Sequence, residues 1–181
     1  LSALYKTYFD GTPSVLSDLT IQYADYAAWQ RAHLQGEELE KQISYWRRQL
    51  KDARFTLDFP TDRPRPATQT YRGARHSVSL SKSVTESLKA LSRREGVTLF
   101  MTLLAAFNVL LHRYSGQADI VVGSPAAGRS RIETEVLIGF FINNLVLRTD
   151  CSGDPSFREL LARVREVAVG AYEHQDLPFE K

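Results

Sequence analysis

The sequence predicts an α/β sandwich with one covered sheet. Three observations carry that expectation: several segments place apolar residues at helical spacing, short Ile/Val-rich runs alternate with them, and glycine or proline marks most of the junctions. At 181 residues, 43% hydrophobic and 24% charged, the chain can bury a core of useful size.

The opening residues Leu1 to Phe9 read as the last turns of a helix ending near Asp10-Gly11, with Pro13 beyond. From Ile21 to His33, three-residue spacing puts Tyr23, Tyr26 and Trp29 along one side of a second helix, which Gly36 interrupts. Glu37 to Ala53 carries Leu39, Ile43, Trp46 and Leu50 between charges, an amphipathic helix. The stretch 58–73 is proline-rich without apolar periodicity, so it is expected to cross the surface as an extended connector at a subdomain boundary.

Beyond it, Arg75 to Ser81 alternates with His76, Val78 and Leu80 on one face, as a half-buried strand does. Val84, Leu88 and Leu91 mark a helix that Gly96 ends, and Thr98 caps another whose Leu99 to Leu111 run is apolar nearly all round, hence expected to be buried. Asp119 to Gly123 reads as a central strand, followed by a polar loop. Val136 to Thr149 is strand-like but broken at Gly139 and at Asn143-Asn144. Asp154 as N-cap and Pro155 at the first helical position introduce a last helix with Phe157, Leu160, Leu161, Val164 and Ala168 on one stripe, stopping before Leu177-Pro178.

Composition narrows the function. With 23 basic against 21 acidic residues the net charge is +2, too even for a protein held to nucleic acid by electrostatics. Cys151, the single cysteine, cannot form an intramolecular disulfide, and with four scattered histidines no structural metal site is expected. No apolar run approaches membrane-spanning length and no signal pattern opens the chain, so a cytoplasmic protein is expected. The absent initiator Met suggests a piece of a longer polypeptide.

Several motifs have two readings. Gly123 to Ser130 is P-loop-like, but Arg129 stands where Lys is needed and no helix follows directly, which argues against nucleotide binding. His174-Gln175-Asp176 can be an acid–base pair or a set of polar caps at a helix end. Tyr23, Tyr26 and Trp29 can stack a ligand or pack a core. Arg63, Arg65, Arg72 and Arg75 form a solvated linker or dock an acidic partner. Asn143 and Asn144 interrupt an apolar strand; a buried amide must be hydrogen-bonded, so one should face a polar cavity, a substrate or an opposing loop.

Read in order, YADYAAWQ (23–30), LDFPTDRPRP (57–66), IGFFINNLVLRTD (138–150) and EHQDLPFEK (173–181) resemble the condensation domains of nonribosomal peptide synthetases. The wording TDRPRPATQTYRGAR and HQDLPFEK is most similar to the subtype joining L-configured donor and acceptor. The resemblance implies a chloramphenicol-acetyltransferase-like two-layer sandwich. Residues 1–57 would be the end of a first lobe, 58–73 the connector, and 74–181 most of a second lobe truncated at its C-terminus. It also implies amide formation between thioesters presented on 4'-phosphopantetheine by carrier proteins, beside an adenylation domain, with no cofactor bound directly.

The family's catalytic His-His-x-x-x-Asp-Gly segment has no counterpart here, so the fragment alone is expected to be inactive. By position, Ser124 and Asn143 become substrate-tunnel candidates and Asn144 a fine-tuning position, while Asp25, Trp29, Arg129, Arg148, His174, Gln175 and Asp176 become structural. A non-catalytic carrier-docking module, or an epimerization, heterocyclization or coenzyme A-dependent acyltransferase relative, stands as the alternative.

Overall fold

The computed structural model describes residues 2–13, 16–64, 66–68 and 70–181; Leu1 and Arg65, which figure in the readings above, lie outside them. The order is α1 (Ser2–Asp10), α2 (Tyr23–His33), α3 (Gly36–Gln49), α4 (Lys82–Arg94), α5 (Leu99–Ser115), β1 (Asp119–Ala126), a 3-10 turn (Ile132–Thr134), β2 (Asn143–Asp150) and α6 (Phe157–Glu173).

Helix ends follow local chemistry. Ser81 and Thr98 each accept a backbone N–H through the hydroxyl, opening α4 and α5. Gly116 closes α5 in the left-handed region at φ 70°, which costs glycine least. β1 and β2 form an antiparallel ribbon in which Ser124 faces Leu145 and Ile120 faces Thr149. α6 packs on β2, α5 on β1, α5 on α6 and α4 on α5, one layer of helices over the ribbon. Ile120, Leu145, Leu147, Leu161, Val164 and Ala168 are the centre of the core between the layers. Between α4 and α5, the buried hydroxyls of Ser92 and Thr102 bond at 2.8 Å.

Five sequence expectations need correction. Arg75 to Ser81 forms no regular element and pairs with no strand among the described residues, with Val78 and Leu80 exposed, because alternation defines faces and supplies no neighbouring strand. Only one stripe of α5 is buried: Leu104, Ala105, Asn108 and Leu111 face inward while Phe100, Leu103, Phe107 and Leu110 are exposed. The second strand begins at Asn143; residues 136–142 join no ladder, although Leu137 and Phe141 are buried. The last helix starts two residues later than its proline suggests, since Ser156 is the N-cap and exchanges bonds with Glu159 in a capping box. β1 runs on to Ala126, so Ser124 lies in the strand and not in the loop after it.

The connector has no regular structure among its described residues, yet it is anchored. Gln117 takes the Asp58 N–H at 2.7 Å and donates to Thr56 O at 3.1 Å, and Phe59 stacks on Tyr114. Arg63, Arg72 and Arg75 are exposed.

Candidate functional site

The polar break in β2 is where distant parts of the chain meet. Asn143 Nδ2 donates to Gln175 O at 2.8 Å and Leu177 O at 2.7 Å, and its Oδ1 accepts from the Asn144 and Phe179 N–H groups, both at 3.0 Å. A carboxamide offers two donors and two principal acceptor positions, so Asn143 is saturated within the chain. It clamps the segment leaving α6 and has no bond left for a substrate. Asn144, one residue on, is exposed on the opposite face, and its side-chain amide makes no hydrogen bond among the described residues.

Arg148, also on β2, ties the ribbon to α3. Its guanidinium grips Asp119 by two N–H···O bonds of 2.8 and 3.0 Å and donates from Nη1 to Gln49 O at 3.0 Å and Lys51 O at 2.8 Å. The bonds to Asp119 raise its pKa further. Sequence reading missed Asp119; opposite charges on paired strands are the signal, legible only once the register is known.

The aromatic side of α2 packs. Tyr26 lies between Tyr23, Trp29 and Phe141, with ring centroids 4.9–6.3 Å apart. Tyr23 OH donates to Phe140 O at 2.9 Å. Two cations close the stack: Arg129 lies 4.2 Å over Phe141 and Arg131 lies 3.9 Å over Trp29. Arg129 also donates to Thr134 O. Asp25 caps the start of α2 by accepting the Gln22 N–H at 2.8 Å. Burial, with the Asp176 charge second, pushes the Tyr26 phenol above its ordinary value.

Three of the four histidines make ring or ring-nitrogen contacts within the chain. His174 stacks face to face on Tyr45 at 3.9 Å, its Nδ1 lies 2.8 Å from Gly170 O, and its carbonyl accepts the Trp46 indole N–H at 2.9 Å. His33 stacks on Trp29, His112 Nδ1 lies 2.8 Å from Gln117 O, and His76 is exposed in the unpaired segment. Gln175 bonds Tyr172 O through its side chain. No His/Cys/Asp/Glu cluster suited to a metal occurs among the described residues.

Three cavities lie where residues before the connector meet residues after it. An open cleft of about 1230 Å³ carries mixed charge, with Arg48, Arg148, Arg163, Glu166 and Glu173 in its lining. A pocket of about 250 Å³ has Tyr26, Gln30, Asn143, Asn144 and Asp176 in its walls. A groove of about 470 Å³ runs between α3, the outer face of β2 and residues 177–181, with Trp46, Leu50, Phe55, Asn144 and Val146 along it. Ser124 stands apart, half-buried in a separate depression of about 280 Å³ with Phe100, Leu103 and Phe107. The two tunnel candidates, Ser124 and Asn143, are therefore not brought together in one cavity.

The family model for the condensation domain matches residues 1–181. The chain is 61% identical over its full length to one of the linear gramicidin synthase polypeptides of Brevibacillus parabrevis, spanning 4% of that protein. It is 46% identical to phosphinothricin tripeptide synthetase PhsC of Streptomyces viridochromogenes, spanning 17%. Among solved structures, the X-domain from teicoplanin biosynthesis superposes with a TM-score of 0.87 at 32% identity, covering 99% of this chain and 41% of that one. The first condensation domain of the CDA synthetase, at 22% identity and a TM-score of 0.77, covers 99% and 39% and speaks for the fold, an α/β sandwich of the chloramphenicol-acetyltransferase kind. With the family model matched from end to end and synthetase relatives of high identity, the chain belongs to the condensation-domain family of nonribosomal peptide synthetases.

Proposed function

We propose that the chain serves in amide-bond formation, as the part of a condensation domain that joins a carrier-bound aminoacyl or peptidyl thioester to the amine of a carrier-bound aminoacyl acceptor. The observation that supports this most is the 61% identity over all 181 residues to a linear gramicidin synthase polypeptide. The partners are carrier proteins bearing 4'-phosphopantetheine arms and an adjacent adenylation domain. In this reading residues 1–57 close a first lobe, 58–73 cross over and 74–181 build the second.

Thioester aminolysis is favourable, so the protein's task is to bring amine and carbonyl together and exclude water. The groups seen here suit positioning and not proton transfer. His174 borders the open cleft but is stacked on Tyr45, His33 stacks on Trp29, His112 bonds through Nδ1, His76 is exposed, and no two histidines are adjacent in sequence. The catalytic histidine is therefore assigned to polypeptide outside residues 1–181, and residues 1–181 alone are expected to make no amide. Ser124, whose hydroxyl makes no hydrogen bond among the described residues, remains the candidate for an acceptor contact.

A docking role is the second reading, favoured by the teicoplanin X-domain, which has also been solved in complex with OxyB. The test is an amide-formation assay of the complete domain with two loaded carriers. Product that disappears when the second His of the His-His motif is replaced supports condensation; a folded domain that binds carriers and yields none supports docking.

A further inference from the structure

Residues 23–59 precede most of the connector, yet they are attached to residues that follow it, at three places. α2 sits on the loop 127–142: the Tyr23 hydroxyl donates to Phe140 O at 2.9 Å, the Tyr26 and Phe141 rings lie 4.9 Å apart, and Arg131 lies 3.9 Å over Trp29. A β-carbon at Gly139 would collide with the Tyr23 ring, so the fit needs a glycine there. α3 sits on α6 and β2: the Trp46 indole donates to His174 O at 2.9 Å, Tyr45 stacks on His174 at 3.9 Å, and Arg148 donates to the carbonyls of Gln49 and Lys51. Gly170 admits Tyr45, since a β-carbon there would fall 2.6 Å from the phenol oxygen. The chain after α3 is tied to the end of α5, through Gln117 with Thr56 and Asp58 and through Phe59 on Tyr114, while Leu57 packs against the core. α1 differs: the hydrogen bonds and ring contacts of residues 2–10 stay within the helix and the turn that ends it.

We propose that residues 23–59 are a strap that moves as one body with α4–α6 and the ribbon, so that the boundary between moving parts lies ahead of Tyr23 and not at the connector. This goes beyond the condensation reading, whose division of the chain follows sequence order. Release of the strap requires hydrogen bonds, an arginine–aromatic stack and close-packed rings to open together, and packed contacts of this kind switch between discrete arrangements instead of yielding gradually. A segment held only by contacts within itself, as α1 is, belongs to the low-stability end of the molecule. A change of shape on carrier binding therefore turns α1 against the strap and leaves α2 and α3 in place.

The test places spin labels in the complete domain at exposed positions, Lys6→Cys on α1, Ala28→Cys on α2 and Lys41→Cys on α3, each paired with Ser87→Cys on α4. Distances are read by pulsed electron paramagnetic resonance, with and without loaded carriers. The pairs from Ala28 and Lys41 should give single narrow distributions that carriers do not shift, whereas the pair from Lys6 should be wider or shift by several ångströms. A distribution from Ala28 or Lys41 as wide as that from Lys6, or one from Lys6 as narrow and unshifted as the other two, overturns the proposal.

The attachments are tested by Arg148→Ala combined with Trp46→Phe, which removes three of the bonds that seat α3. The Lys41 pair should widen while the Ala28 pair, seated separately on residues 127–142, stays narrow. A Lys41 width that the double variant leaves unchanged also overturns the proposal. Amide formation by the unlabelled domain is followed in parallel: its absence counts against the condensation reading, and the distances still decide the strap.

Discussion

Arg148 and Asp119 meet fork to fork across the β-ribbon, at 2.8 and 3.0 Å, while the same guanidinium reaches the carbonyls of Gln49 and Lys51 at the end of α3. One side chain thus joins both strands to a helix some hundred positions away in sequence. Lysine cannot reproduce this planar set of donors. Arg148→Lys should cost about 1–2 kcal/mol, the pair being partly solvent-screened. Asp119→Asn should cost less, since the helix carbonyls keep their donor; chemical denaturation of both variants checks the order.

Asn143 predicts a contrast with its neighbour. Asn143→Ala leaves two carbonyls and the Phe179 N–H without a partner, so a loss of about 2–4 kcal/mol is expected, whereas Asn144→Ala should be within about 0.5 kcal/mol of the parent. Differential scanning of the two purified variants reads this directly.

Gly128 sits at φ 64°, and a β-carbon there would fall 1.8 Å from Phe141 O. Backbone against backbone has little room to give, and the Arg129–Phe141 stack lies beside it. Gly128→Ala should therefore cost about 2 kcal/mol or more and loosen residues 127–142 from α2, seen as faster hydrogen exchange in that loop.

Asp150 gives a pH dependence. Hydrogen bonds from Ser152, with Arg163 a lesser influence, hold its carboxyl below the ordinary value. A lowered folded-state pKa adds stability that is complete above the unfolded value near 4 and is lost as pH falls through the folded value. Asp150→Asn should lower stability at neutral pH, where the charged carboxylate contributes fully, and converge with the parent as pH falls through the folded value, so that the acid limb flattens. Cys151, buried and with its thiol pushed up by desolvation, should resist iodoacetamide at pH 8 until the chain unfolds.

Much of this fold was legible locally. Thr98 before an apolar run, and Gly96 and Gly116 after theirs, set helix ends by chemistry confined to a few residues. The same local reading went astray at Pro155, where Ser156 and Glu159 form the actual capping box. Pairing is non-local, which is why Arg75 to Ser81 reads as a strand although no strand pairs with it among the described residues. The rule that a buried amide must be satisfied pointed correctly to an opposing loop as one partner for Asn143. Which atoms satisfy it, 32–36 positions away, is set by how α6 returns its end to β2. Composition says that α5 is apolar all round, but only packing says that Phe100, Leu103 and Phe107 stay outside.

The most direct measurement of the central claim follows which carrier holds the product. With the complete domain, a donor carrier loaded with one labelled residue and an acceptor carrier with another, intact-protein mass spectrometry should find the dipeptidyl thioester on the acceptor and an emptied phosphopantetheine on the donor. Both carriers recovered with their original single residues, in the presence of folded domain, would contradict the account.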